Sequence, residues 1–272
     1  MYQILLQTGP VTIYSLWVLA IIGFLAAFTT LNKLIRKDRE KLNFIASKSL
    51  AILLVGMLFA RLFFVLRNFK AFYGNPLEIF YIWDKGLSLW GGIIGLIVAI
   101  IYYCKKEKQN LKEWLDILTV SIMSGFVFGH IGSFLDGQNY GRETSLPWGI
   151  MNENSRYAVP IHPVQLYAAI YTALLTIALL WLLKRKAVKT TPLSASGGQG
   201  KVAPLWLGII NFLTGSSGKT ALIGLISYSF FRFLEEFLRG DESSYFLGLR
   251  EAQIYCLLAF IGGSILFYKL YF

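Results

Sequence analysis

Arg232 and Glu236 stand four residues apart inside one apolar run, so on a helix they share a face and can pair. His130 and Ser133 stand three apart in a second such run, Arg61 lies in a third, and His162, Gln165 and Tyr167 open a fourth. An ionised side chain within hydrocarbon costs about 2.5–3.5 kcal/mol even on a lenient insertion scale, which makes each one a candidate for function. Taken singly they have plainer explanations. Arg232 with Glu236 would be a structural ion pair, Arg61 would snorkel to the headgroups, and the histidines would be satisfied helix-end residues. Residues 129–150, GHIGSFLDGQNYGRETSLPWGI, join the second run to the fourth and bring Gly129, Gly132, Gly137 and Gly141 together with Asp136 and Arg142. Such a turn lets backbone N–H groups aim at a phosphate, although as a bare pattern it is weak.

The elements that must position these residues are apolar runs at about 11–31, 47–66, 87–104, 114–135, 162–183, 218–238 and 252–271. Hydrophobic residues are 56% of the 272 and charged residues 15%, well under the roughly 25% charged of globular chains. Runs of about twenty apolar residues match a ~30 Å hydrocarbon layer. The fold class is therefore an all-α polytopic integral membrane protein of about seven transmembrane helices. The third run, with Gly91, Gly92 and Gly95, is either broken or closely packed against a neighbour. The whole chain, 1–272, reads as a single transmembrane domain with a cytoplasmic linker or insertion at about 187–217. That insertion is Gly/Ser/Pro-rich around the apolar stretch Leu205 to Leu213, too short to span.

Of the 26 Lys and Arg, seventeen fall in the connectors on one side and seven on the other, with Arg61 and Arg232 inside helices. The positive-inside rule then puts the N-terminus outside and the C-terminus in the cytoplasm. In that orientation Arg61, His130, Ser133, His162, Gln165, Tyr167, Arg232 and Glu236 all fall in the outer half. The net charge of +11 resides in these connectors, so nucleic acid is not the partner. Cys104 and Cys256 make neither a disulfide framework nor a cysteine zinc site and read as inert buried thiols. The stretch Met1 to Pro10 has no basic n-region and is not expected to be a cleavable signal peptide.

These segments resemble the prolipoprotein diacylglyceryl transferase family, in order and across most of the chain outside 187–217. Gly9-Pro10 precedes the first helix. Arg61 through NPLEIFYIWDKGLSLWGGIIG (75–95) resembles the family's arginine followed by WDGGMSFHGG. Residues 129–150 resemble G-R-x-G-N-F-x-N-x-E-x-x-G-R followed by T-x-L-P-W-G. HPVQLY (162–167) resembles H-P-x-Q-L-Y-E, Tyr228 through RFLEEFLRGDE resembles Y-x-x-x-R-F-x-x-E-F-x-R-x-P-D, and LGLREAQIYCL keeps the last helix's glutamine as Gln253.

The resemblance implies transfer of the diacylglyceryl group from phosphatidylglycerol to the lipobox cysteine thiol of a prolipoprotein signal peptide, at the outer face of the bacterial cytoplasmic (inner) membrane. It implies no metal and no organic cofactor. A free thiol has a pKa near 8.5, so a base or cation must raise its thiolate fraction, and arginines clamp the leaving phosphate. Arg61, Gly132, Gly141, Arg142, His162, Gln165, Tyr167, Tyr228, Arg232 and Glu236 match the family's residues. The departures are Trp90 for the histidine of HGG, His130 for the signature arginine, Ser133 and Asp136 for its asparagines, and Gln138 for its glutamate. Ala168 replaces the closing glutamate of HPxQLYE, and Leu16, with Tyr14 nearby, stands for a helix-1 tyrosine.

Two expectations follow. An active enzyme uses His130, Arg232 and Glu236 catalytically, with His130 taking the base role vacated at Trp90. Arg61, Ser133, Asp136, Gly141, Arg142, His162, Gln165, Tyr167 and Tyr228 then bind substrate. The alternative is a catalytically degenerate member that binds lipid or a partner. A solute transporter is disfavoured, because the charges collect at one face and not at the midplane.

Overall fold

The computed structural model describes residues 3–8, 11–81, 86–189, 213 and 215–272. Among these, seven α-helices dominate: α1 (Ser15–Ile35), α2 (Arg39–Arg67), α3 (Leu89–Lys106), α4 (Leu111–Asp136), α5 (Val164–Lys189), α6 (Lys219–Glu236) and α7 (Glu251–Tyr271). Five of them, α1, α2, α4, α5 and α7, are long and apolar enough to cross a membrane by length and composition. In α6, Lys219, Arg232, Glu235 and Glu236 interrupt the apolar sequence. Many large apolar side chains on the helices face outward, among them Trp17, Phe24, Leu174 and Ile177. So much exposed apolar surface suits lipid and not water, and the chain is a polytopic helical membrane protein.

Each apolar run became a helix, with shifted ends. Helix α2 starts at Arg39 and takes in polar residues ahead of the 47–66 run. Asp38, in extended backbone, accepts from Lys41 N at 3.0 Å and closes the first turn. The start of the first run instead becomes a strand: β1 (Ile4–Thr8) pairs antiparallel with β2 (Val11–Tyr14). A second short hairpin, β3 (Tyr245–Phe246) with β4 (Leu249–Arg250), joins α6 to α7. The all-α expectation therefore needs two small β-hairpins added, whose short strands carry β-branched and aromatic residues. Gly9 and Pro10, the segment 82–85, the side chain of Trp90 and, of the expected insertion at 187–217, residues 190–212 and 214 lie outside the described residues.

The chain divides into two compact units. The first comprises 1–33 and 112–272, the second 34–111. In the second, α2 and α3 form a helical hairpin. Helix α3 is continuous, and its glycines serve close packing: a Cβ on Gly95 would lie 2.5 Å from Phe59 Cβ. Of the two arrangements the glycines allowed, the packed one is observed. Its start is fixed by Ser88, whose hydroxyl accepts from Gly91 N at 3.2 Å. Cys104 is fully buried here.

In the first unit α6 packs between α5 and α7. Helices α1 and α4 approach closely at Gly23 and Gly125, and Ser124 Oγ donates to Thr30 Oγ1 at 3.1 Å. At one end of α6, Asp116 of α4 accepts from the backbone N–H groups of Gly218 and Ala221, each at 2.8 Å, and so caps a neighbouring helix with a buried carboxylate. At the other end the C-termini of α4 and α6 meet the N-termini of α5 and α7. That end carries the polar residues.

Candidate functional site

Two loops meet there. The loop after α4 and the loop after α6 run antiparallel for one bridge, Arg142 N donating to Leu238 O at 2.8 Å and Gly240 N to Tyr140 O at 2.9 Å. On its other side the first loop is held by His162 N, which donates to Arg142 O at 2.9 Å. Gly141 lies in this sandwich, where a Cβ would stand 2.3 Å from His162 O. Gly141 thus lets two backbone segments of the protein approach closely.

Against this frame lies a network of three arginines and three carboxylates. Glu236, 1% exposed, receives Arg232 Nη2 at 2.6 Å and Arg239 Nη1 at 3.3 Å on Oε1, while Arg250 Nε stands 2.8 Å from Oε2. Arg232 also pairs with Glu235, whose other oxygen accepts from Tyr171 Oη at 2.8 Å. Asp241 pairs with Arg239 and with Arg250, the latter at 2.9 Å. Burial works to raise the Asp241 carboxyl, but hydrogen bonding to Arg239 and the charges of Arg239 and Arg250 outweigh it and hold it below the usual carboxylate range. Removing six charges from water is costly, so such a cluster persists only where every member is matched.

Arg142 breaks the balance. Its Nε donates to Arg239 O at 3.1 Å, and among the described residues its two terminal nitrogens have no partner. The side chain is exposed. Three arginines matched by three carboxylates, plus one whose fork is open, make a net-positive site suited to a bidentate oxyanion.

The other expected residues divide. Asn139, in left-handed backbone at φ 56°, links one of them to the network: its amide nitrogen donates to Ser133 Oγ at 3.0 Å and its oxygen accepts from Arg239 Nη2 at 2.7 Å. Gln165 Nε2 donates to Gln138 O at 2.6 Å, leaving Oε1 buried and, among the described residues, without a partner. His130 Nε2 is likewise buried and unpartnered, with the ring 6.4 Å from the ring of Tyr171. Tyr228 stands 6.0 Å from the same Tyr171 ring, and Phe231 stacks on it at 5.4 Å. His162 and Trp148 both meet the Tyr167 hydroxyl, at 3.4 and 2.7 Å. The Asp136 main-chain oxygen accepts from Gln3 at 2.7 Å and Asn154 at 3.1 Å, and its carboxylate Oδ2 is buried and unpartnered. Ala168 is fully buried, and Leu16 lies against Gly132.

Arg61 belongs to the second unit. Its guanidinium is buried among backbone carbonyls there, donating to Ile79 O at 2.9 Å, Gly86 O at 3.0 Å and Glu78 O at 2.5 Å. Within that unit it organises the two 3₁₀ turns at Phe69–Phe72 and Pro76–Phe80 and the approach to α3.

Sequence reasoning passed over Glu235, Arg239, Asp241, Arg250, Asn139 and Tyr171. Two signals were available. Arg239 follows Glu236 by three residues, and Arg250 is a cation just ahead of a helix N-terminus, where the helix dipole disfavours it unless a carboxylate faces it.

Comparison with known proteins agrees along almost the whole chain. The family model for prolipoprotein diacylglyceryl transferase matches residues 3–213 and 201–269. The phosphatidylglycerol–prolipoprotein diacylglyceryl transferase of Clostridium tetani is 30% identical over 270 residues, which is 98% of this chain and 97% of the relative. That of Bordetella parapertussis is 31% identical over 92% of this chain and 86% of its own length. That of Wolbachia pipientis wMel is 32% identical over 77% and 79%.

Proposed function

The chain belongs to the prolipoprotein diacylglyceryl transferase family, and we propose that it moves the diacylglyceryl group of phosphatidylglycerol onto the lipobox cysteine of prolipoprotein signal peptides. The cysteine sulfur attacks the glyceryl carbon that carries the phosphate. An S–C bond forms, the C–O bond to phosphate breaks, and glycerol phosphate leaves with the electron pair, while the thiol proton passes to a base. The observation that carries this reading is the open guanidinium fork of Arg142 on an otherwise charge-matched network. A lipid phosphate is what such a fork at the end of membrane helices accepts.

Within this reading Arg142 takes the phosphate and Arg232 adds charge beside it. Glu236 holds Arg232, Arg239 and Arg250 in register, since its oxygens already face three guanidinium groups. His130 is the base, with its Nε2 free of partners among the described residues. Tyr228, Tyr171 and Phe231 wall the site, and Ser133, Asp136, Gly141, His162, Gln165 and Tyr167 shape the loops that frame it. Arg61 serves by fixing the connection from α2 to α3. The site faces the outer leaflet of the bacterial cytoplasmic membrane, the N-terminus is outside, the C-terminus is cytoplasmic, and 187–217 is a cytoplasmic insertion in one transmembrane domain. The excess of basic residues in the opposite connectors supports that orientation.

The test is transfer from radiolabelled phosphatidylglycerol to a lipobox peptide by purified protein, together with lipoprotein lipidation in a transferase-depleted bacterium. Saturable phosphatidylglycerol binding by folded protein without thioether formation would replace the transferase by a lipid-binding relative.

A further inference from the structure

The β3–β4 hairpin ends in a turn whose chemistry does not match its exposure to water. Leu247 and Gly248 form its tip, with φ of 52° and 78°. Two successive positive φ values are the signature of a two-residue turn that favours Asn-Gly or Asp-Gly, because a branched apolar side chain is strained there. This chain places Leu247 at that position, 87% exposed, flanked by Tyr245 at 60% and Phe246 at 66%. No residue between Tyr245 and Leu249 carries a charge. Solubility would favour a polar tip, and so would turn geometry.

The hairpin's feet explain where the tip lies. Arg250, the last residue of β4, is at once the N-cap of α7 and the partner of Asp241, where the loop leaves α6. A strand rises about 3.4 Å per residue, so two-residue strands keep the tip within about 10 Å of the first turn of α7. The exposed apolar flanks of the two helices begin at the same level, with Leu234, Phe237 and Leu238 on the α6 side and Tyr255 and Leu258 on α7. The apolar tip therefore continues the exposed apolar surface of the helices, and aromatic residues at the ends of membrane helices mark the edge of a bilayer.

We propose that the Tyr245–Leu249 hairpin is an interfacial lipid anchor, its Tyr245–Phe246–Leu247 tip inserted among the lipids of the leaflet on which the ionic network opens. Because Arg250, at one foot of the hairpin, belongs to that network, insertion of the tip sets the depth of Arg142 and its neighbours relative to the lipid phosphates. The occupant is bilayer lipid, not a peptide and not a second copy of the chain.

The anchor is tested without turnover, so its outcome is independent of the transferase assignment. Cys104→Ala/Cys256→Ala protein carrying Leu247→Cys, labelled with an environment-sensitive fluorophore, is placed in vesicles of phosphatidylglycerol and phosphatidylethanolamine. The expected result is blue-shifted emission, quenched by nitroxide lipids labelled near the headgroup and protected from aqueous iodide, at all protein-to-lipid ratios and without added peptide. Emission like that of the probe in water overturns the proposal, as does protection that appears only with a lipobox peptide or only at high protein density. A second label at Phe246→Cys is read with and without Leu247→Asn. Asparagine suits the positive φ and keeps the turn while removing the apolar tip, so the blue shift should shrink with the fold intact. An unchanged shift in that variant also overturns the anchor.

Discussion

Arg250 Nε lies 2.8 Å from Glu236 Oε2, joining the residue just ahead of α7 to the last residue of α6 across a turn of the chain. With Arg232 and Arg239 on its other oxygen, Glu236 is the hub that holds three guanidinium groups. Removing it leaves three guanidinium groups facing one another, those of Arg239 and Arg250 buried. Glu236→Gln is expected to lower unfolding stability by about 3–5 kcal/mol, the usual cost of stranding a buried charge. Thermal unfolding in nanodiscs measures it. Because the two residues act through one contact, Glu236→Gln combined with Arg250→Gln should destabilise by less than the sum of the single changes. Additive losses would remove the hub.

Arg142 supplies the charge that the network leaves unmatched. Arg142→Lys keeps the charge and loses the fork, whereas Arg142→Ala loses both. A charge-assisted hydrogen bond contributes about 1.5–3 kcal/mol, so kcat/KM for phosphatidylglycerol should fall roughly 10- to 100-fold in the lysine variant and further in alanine. The unfolding temperature should move little, since the side chain is exposed and its single contact is to a carbonyl. A lysine variant with full activity would exclude bidentate recognition here.

The polar end of the bundle was legible because membrane physics makes intramembrane charge conspicuous. Arg232, Glu236 and His130 announce themselves in apolar runs, and the excess of basic residues in one set of connectors puts them on the same side. What stayed hidden is pairing over sequence distance. Asn139 finds Arg239 across a hundred positions, and no periodicity reports that. Arg61 shows the reverse case. A lone intramembrane arginine reads as a ligand for phosphate, yet its N–H groups here are committed to carbonyls of its own unit. The hairpins were missed because β1–β2 continues an apolar run and β3–β4 is only two residues per strand.

His130 presents an unpartnered buried Nε2 beside Tyr171. As the base it should affect chemistry more than binding: His130→Ala should lower kcat about 10²–10⁴-fold, the range typical of general-base loss, with KM for phosphatidylglycerol nearly unchanged. Single-turnover transfer to a lipobox peptide separates the two. Undiminished transfer by the alanine variant would remove His130 from the mechanism.

Asp241 ties the network to pH. Its carboxyl titrates lower in the folded protein than the ~3.9 of an unfolded aspartate. Its contribution is therefore present in full above about pH 4, and it is lost as pH falls through the lower folded value. Wild-type protein should keep its unfolding midpoint from pH 7 down to about 5 and lose it steeply below about 4. Asp241→Asn should start lower at pH 7 and fall less on acidification. Parallel curves for the two proteins would show that Asp241 is not a source of the acid sensitivity.

Gly141 tests the frame and not the charges. A Cβ there meets His162 O at 2.3 Å and His162 Cβ at 2.7 Å, and the loop has little room to retreat because Gly240 packs on its other side, with a Cβ there only 2.5 Å from Gly141 O. The contacts are with backbone and a Cβ, so no side-chain rotation relieves them. Gly141→Ala should therefore pry the Arg142 loop from His162 and Arg239, costing roughly 1–3 kcal/mol as overpacking does. Activity should fall with stability, in contrast to Arg142→Lys, where activity falls alone. Hydrogen exchange at Arg142, Gly240 and His162, whose amides make the three backbone bonds of the frame, should quicken in Gly141→Ala while exchange within α4 and α5 stays slow. Unaltered exchange at those three amides would show that the loop yields without opening, and the glycine would then owe its place to something other than this close approach.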